Sequence, residues 1–141
     1  TLMKKILMLL LMVVGVVTSA DAMYHQLRYR GTVAGNTVEV ALNYNTGDMG
    51  TNCEPYWTDD GRCRYVKYGY NLLTLVPKSA CSSKTWVFDE YNSKGERTGR
   101  WVLKVSQGRL TGTFKAAHSG KTYKVNLRQI PGFDFWRWGQ S

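Results

Sequence analysis

A chain of 141 residues has room for one ordinary domain and little more. Its 19 Lys and Arg against 10 Asp and Glu, a net charge of +9, favour anionic partners. Its three cysteines form no Cys-x-x-Cys pair and its two histidines, His25 and His118, are distant from each other, which argues against a zinc site.

Residues 1–22 read as a signal peptide. Met3-Lys4-Lys5 gives a cationic start, Ile6 to Val17 is apolar apart from Gly15, and Ala20-Asp21-Ala22 supplies a small-x-small cleavage pattern. The apolar run of 12 residues is shorter than the roughly 20 a spanning helix needs. No cysteine follows it at a lipoprotein position, so the expected product is soluble and periplasmic or secreted, cleaved after Ala22. Met23 to Ser141 then keeps 17 Lys and Arg against 9 Asp and Glu, a net of +8. In that compartment nucleic acid is the least expected anionic partner. Acidic polysaccharide, lipid head groups and acidic proteins remain.

From residue 27 the pattern is period-2 alternation. Leu27, Tyr29, Gly31 and Val33 alternate with Arg28, Arg30 and Thr32, and Val38, Val40, Leu42 and Tyr44 alternate with Glu39, Ala41 and Asn43. Further runs cover about 65–69, 72–76, 85–91, 98–105, 110–116 and 122–129, separated by Gly- and Asn-containing turns such as Ala34-Gly35-Asn36 and Ser106-Gln107-Gly108. The expectation is all-β: one antiparallel up-and-down barrel, or strongly curved meander, of about eight strands, spanning 23–141 with an aromatic tail from about 131. A two-sheet sandwich is the competing arrangement.

The unit Gly-x-x-Thr-Gly-x-aromatic occurs twice, from Gly95 to Trp101 and from Gly108 to Phe114. Gly95 and Gly108 suit tight turns. Gly99 and Gly112 fall inside strands, where glycine permits a bulge, a bend or a ring lying across it. The repeat therefore reads as a folding device rather than a duplicated ligand site.

The chain resembles a group of small exported bacterial β proteins of unsettled activity. The resemblance rests on Tyr29-Arg30-Gly31-Thr32-Val33, Tyr65-Val66-Lys67-Tyr68-Gly69, Glu90 to Trp101, and Gly112-Thr113-Phe114, spanning roughly 27–130. It implies an antiparallel β domain outside the cytoplasm and brings no catalytic residues. The chain departs from that pattern at 45–64 and 77–84. Cys53 and Cys63 lie in the first insertion and Cys81 in the second, so one disulfide is expected, joining Cys63 to Cys53 or to Cys81.

Candidate binding residues fall in three groups. Tyr56 and Trp57 sit on the 45–64 loop, as binding anchors or as rings that fold down over a barrel mouth. Arg100, Lys104, Lys115, Lys124 and Arg128 share outward strand parity, and Arg28 and Arg30 would join them if the first and last strands are neighbours. Trp136 and Trp138, with Phe133 and Phe135, make the tail aromatic. Asp59-Asp60 reads as turn chemistry. Asp89 and Glu90 point to opposite faces, which removes them as a glycosidase pair. Glu90, on the parity of Trp86 and Phe88, should face inward and be hydrogen-bonded.

Ser119-Gly120-Lys121-Thr122-Tyr123 is similar to the Ser-Gly-x-x-Tyr loop of periplasmic inhibitors of c-type lysozyme, which implies an inhibitory role for Ser119, Gly120 and Tyr123. The companion Lys-Gly element is absent after Tyr123, and a cationic inhibitor would be repelled by a basic lysozyme. The sequence therefore predicts an exported module that binds an anionic envelope component and has no catalytic residue, cofactor or metal. A protein-directed inhibitor or immunity factor is the alternative.

Overall fold

Period-2 alternation becomes an antiparallel sheet whose two ends meet. The structure, a computed structural model, describes residues 24–45 and 56–131. The segment read as a signal peptide, Cys53 and the tail residues Phe133, Phe135, Trp136 and Trp138 lie outside the described residues.

Nine strands follow in chain order: β1 (Tyr24–Val33), β2 (Asn36–Asn45), β3 (Tyr56–Trp57), β4 (Gly61–Tyr65), β5 (Leu73–Pro77), β6 (Thr85–Tyr91), β7 (Arg97–Ser106), β8 (Arg109–Ala116) and β9 (Thr122–Gln129). Around the sheet the order is β1-β9-β8-β7-β6-β5-β4-β2, and β2 pairs back onto β1, which closes an eight-stranded barrel. The single closed sheet excludes the sandwich. The extra strand β3 pairs with the end of β2, placing Trp57 opposite Tyr44.

The strand expected at 65–69 lies earlier, at Gly61–Tyr65, and Val66–Tyr68 form a 3-10 turn. Gly69, at φ 68°, caps that turn and its N–H donates to the Val66 carbonyl, a backbone conformation suited to glycine. The inward side of β4 is instead completed by Gly61, Cys63 and Tyr65 on one parity, with Cys63 wholly buried.

The repeated phrase is used in two ways. Gly95 and Gly108, at φ 79° and 71°, turn the chain into β7 and β8. A methyl at Gly99 would lie 2.3 Å from the Phe114 ring, so its absence lets that ring lie across β7. A methyl at Gly112 would lie 2.0 Å from the carbonyl oxygen of Val102, so there it is two backbones that approach closely. Trp101 is fully buried and its ring centroid lies 5.0 Å from that of Phe114. Around this pair pack Val38, Val40, Leu42, Leu75, Phe88, Leu103, Leu110 and Leu127.

Among the described residues, the expected disulfide is absent. Cys63 and Cys81 are free thiols. Strand parity sends Cys63 into the core, where its Sγ lies 3.4 Å from Glu90 Oε2. Cys81 belongs to the turn joining β5 to β6, and its carbonyl accepts a 3.0 Å hydrogen bond from Trp86 Nε1. An inward position on a barrel strand and a connecting turn do not bring two thiols into bonding geometry.

Candidate functional site

Antiparallel pairing fixes which outward side chains stand side by side. Across the strands run Asp89–Arg100–Lys115–Thr122, then Val87–Val102–Thr113–Lys124, then Thr85–Lys104–Thr111–Asn126. A fourth row is Ser106–Arg109–Arg128–Arg30, crossing the seam where β9 meets β1. Neighbouring strands are about 4.8 Å apart, so Arg109, Arg128 and Arg30 stand in a line of like charge. Such a line destabilises a bare sheet and is relieved by an anion laid across it. From Arg97 to Ile130 the chain carries eight Lys and Arg and no Asp or Glu. Lys104, Lys115, Lys124 and Arg128 are exposed, and none forms an ion pair among the described residues.

The acids near this face are sunk beneath arginines. Asp89 takes Arg100 Nε at 2.8 Å and Nη2 at 3.2 Å, and Arg97 Nε at 3.3 Å. Hydrogen bonds from Arg100, aided by its charge and by Arg97, hold the Asp89 carboxyl below its ordinary range despite its burial. Glu39 on β2 is held by both Arg28 and Arg64. Burial alone would raise its pKa, but the hydrogen bonds and charges of those two arginines outweigh it and the net direction is down. Glu39 and Asp89 are therefore internal counter-ions, and the face between them presents cations.

Arg97, Arg100 and Lys115 edge a groove of about 470 Å³ on the outer surface, floored by Val102 and Thr113 and bounded by the β8–β9 turn. With Asp89 occupying Arg100 Nε and Nη2 and Arg97 Nε, the Lys115 ammonium and the remaining guanidinium protons are left to face an anion.

On the other side of the same β8–β9 turn, the barrel mouth holds a cavity of about 270 Å³. Tyr65, Tyr68, Phe114 and Tyr123 supply rings to it, with Lys67 and Asn36 as polar members. Deeper in the barrel, Glu90 accepts from Thr98 Oγ1 at 2.7 Å and Trp101 Nε1 at 2.8 Å, besides the Cys63 thiol. Burial raises the Glu90 pKa, and these three bonds only partly oppose that. A carboxyl raised in the folded state stabilises fully below its unfolded value and less as pH rises through its folded value. Glu90→Gln should therefore remove a pH-dependent component of stability. Urea midpoints of the two proteins, subtracted at each pH, should shift in favour of the variant as pH rises from 4 to 8. A difference independent of pH would show that Glu90 keeps an ordinary pKa.

At the opposite end of the barrel, Trp57 packs over the core. Trp57 packs edge-on to Trp86 and Phe88, at 4.9 and 5.3 Å between centroids, and its Nε1 donates to the Ser79 carbonyl at 3.0 Å. Of the two readings offered for this loop, Trp57 takes the mouth-closing one, while Tyr56 stays half exposed. Ser119 and Gly120 form the short turn between β8 and β9, where Ser119 Oγ accepts from the Lys121 amide at 3.2 Å. Tyr123 points into the barrel mouth beside Phe114 rather than outward with Ser119. Sequence reasoning missed Arg97 and Arg109. The signal available was the absence of any acid over 97–130, which is visible without knowing the parity of each residue.

Among the described residues, no three His, Cys, Asp or Glu side chains are placed to hold a metal ion. Among the same residues, no helix is long and apolar enough to cross a membrane. Comparison with protein-family profiles, curated proteins and solved structures gives no match.

Proposed function

We propose that the protein is an exported, non-catalytic binding module for an anionic component of the cell envelope, engaged through the outer face of β7, β8 and β9. The observation that carries this reading is the run of eight cations without one acid across three adjacent strands. Arg97 and Arg100 are held in place by Asp89, so part of the face is preorganised before a ligand arrives. Tyr56, half exposed at the far end, and the aromatic tail with Trp136 and Trp138 are the additional contacts in this reading.

The test is binding to isolated envelope at stepped salt concentrations. Each Lys near an anionic surface contributes about 1 kcal/mol, so replacing Lys104, Lys115 and Lys124 together by Ala should weaken binding about 100-fold at low salt. Binding that is unchanged in the triple variant would remove the cationic face from the account.

A further inference from the structure

The β8–β9 turn is a saddle with a cavity on each side. Phe114 and Tyr123 face the barrel mouth, while their chain neighbours Lys115 and Thr122 face the outer groove, because successive strand residues point to opposite faces. A ligand that enters the mouth and continues over the turn therefore passes from a ring-lined cavity directly onto the cationic face.

The mouth has the chemistry of a site for one small ring. A cavity of about 270 Å³ is near the lower limit of small-molecule pockets, enough for a single ring rather than an extended ligand. Four aromatic rings offer flat apolar surfaces, and the phenol hydroxyls and the Asn36 amide add hydrogen-bond capacity at the same site. A wholly apolar ligand would leave those polar groups without partners, whereas a sugar ring has both an apolar face and a rim of hydroxyls. The charged residue in the lining is Lys67, whose Nζ sits 4.9 Å from the Tyr68 ring centre, and no acid lines the cavity. An acidic sugar matches this better than a neutral one. At the rim, Ala34 at φ 51° and Gly35 at φ 79° form the two-residue turn that joins β1 to β2.

Building on the anionic-envelope reading above, we propose that the barrel mouth is the recognition site for the terminal sugar of an acidic polysaccharide. One ring lies among Tyr65, Tyr68, Phe114 and Tyr123 beside Lys67, and the following acidic residues run over the β8–β9 turn into the groove of Arg97, Arg100 and Lys115. The mouth sets which polymer end is taken, and the outer face adds charge attraction that is indifferent to sugar identity.

The experiment is calorimetric titration of the protein with a tetrasaccharide of hexuronic acid, its neutral methyl ester, and anionic phospholipid vesicles. Tyr68 is 63 % exposed and Lys67 is exposed, so Tyr68→Ala and Lys67→Ala leave the core intact. The acidic tetrasaccharide should bind at least tenfold more tightly than its ester. Each mouth variant should lose at least tenfold for the acidic sugar and leave vesicle binding unchanged, and the tetrasaccharide should shift the Tyr65 and Tyr123 ring resonances. Wild-type affinity for the tetrasaccharide in both mouth variants would overturn the proposal, as would vesicle binding that depends on Tyr68. If the lysine triple variant loses all binding and the mouth variants lose none, the cationic face stands and the mouth falls. Mouth-dependent sugar binding that survives the triple variant would do the reverse.

Discussion

Trp101→Ala should destabilise the barrel by about 4 kcal/mol, a large share of the roughly 5–15 kcal/mol that holds a domain of this size folded. Two losses combine. The fully buried indole leaves a cavity beside Phe114, and Glu90 loses its 2.8 Å donor while remaining enclosed. Trp101→Phe takes away the N–H and the pyrrole part of the indole but keeps a six-membered ring in the core. It should cost less than Trp101→Ala, about 1–3 kcal/mol, from a buried acceptor left short of a partner and a smaller cavity. Urea midpoints of the two variants measure both quantities. A Trp101→Ala protein within about 1 kcal/mol of the wild type would mean the ring is not a keystone of the core.

Gly31→Ala should be almost as damaging despite adding a single methyl. That methyl would lie 1.9 Å from the Asn126 carbonyl oxygen and 2.8 Å from the Leu127 Cα, both backbone atoms of β9. No side chain can rotate away, so the seam joining Tyr29–Val33 to Val125–Gln129 has to part. We expect a loss of at least about 3 kcal/mol, at the upper end of overpacking effects. Gly35→Ala is the matched control. Gly35 has φ 79° with open space around it, so the substitution costs only the strain of a left-handed Ala, about 1–2 kcal/mol. Hydrogen exchange distinguishes the two, with Gly31→Ala accelerating the amides paired across β1 and β9 and Gly35→Ala leaving them protected. Equal losses in both variants would mean that closure does not depend on the close approach at Gly31.

The barrel was largely legible because period-2 alternation, glycine turns and parity are local properties of the chain. Parity correctly sent Glu90 inward and Asp89 outward, and it assembled the cationic face before any contact was known. The Tyr-x-Gly first-strand motif also contains Gly31, whose role at the seam depends on a partner strand about 95 residues away and is therefore invisible locally. Cysteine pairing failed for a related reason. Counting cysteines in a chain expected to be exported suggests a bridge, but the inward turn of Cys63 depends on where β4 begins, and the sequence placed that strand four residues too late. The division of labour between the two barrel ends was equally hidden. That Trp57 closes one end while Tyr65, Tyr68 and Tyr123 ring the other follows from the pairing of β2 with both β3 and β4.

The most direct test of the binding face is a nitrogen-15-resolved NMR titration of the protein with an anionic envelope polymer, repeated at high salt. Shifts are expected at Arg100, Lys104, Lys115, Lys124 and Arg128 on the outer side of β7 to β9, fading as salt screens the charges. Shifts confined to the Tyr56–Trp57 end, or a cationic face left unperturbed at low salt, would contradict it.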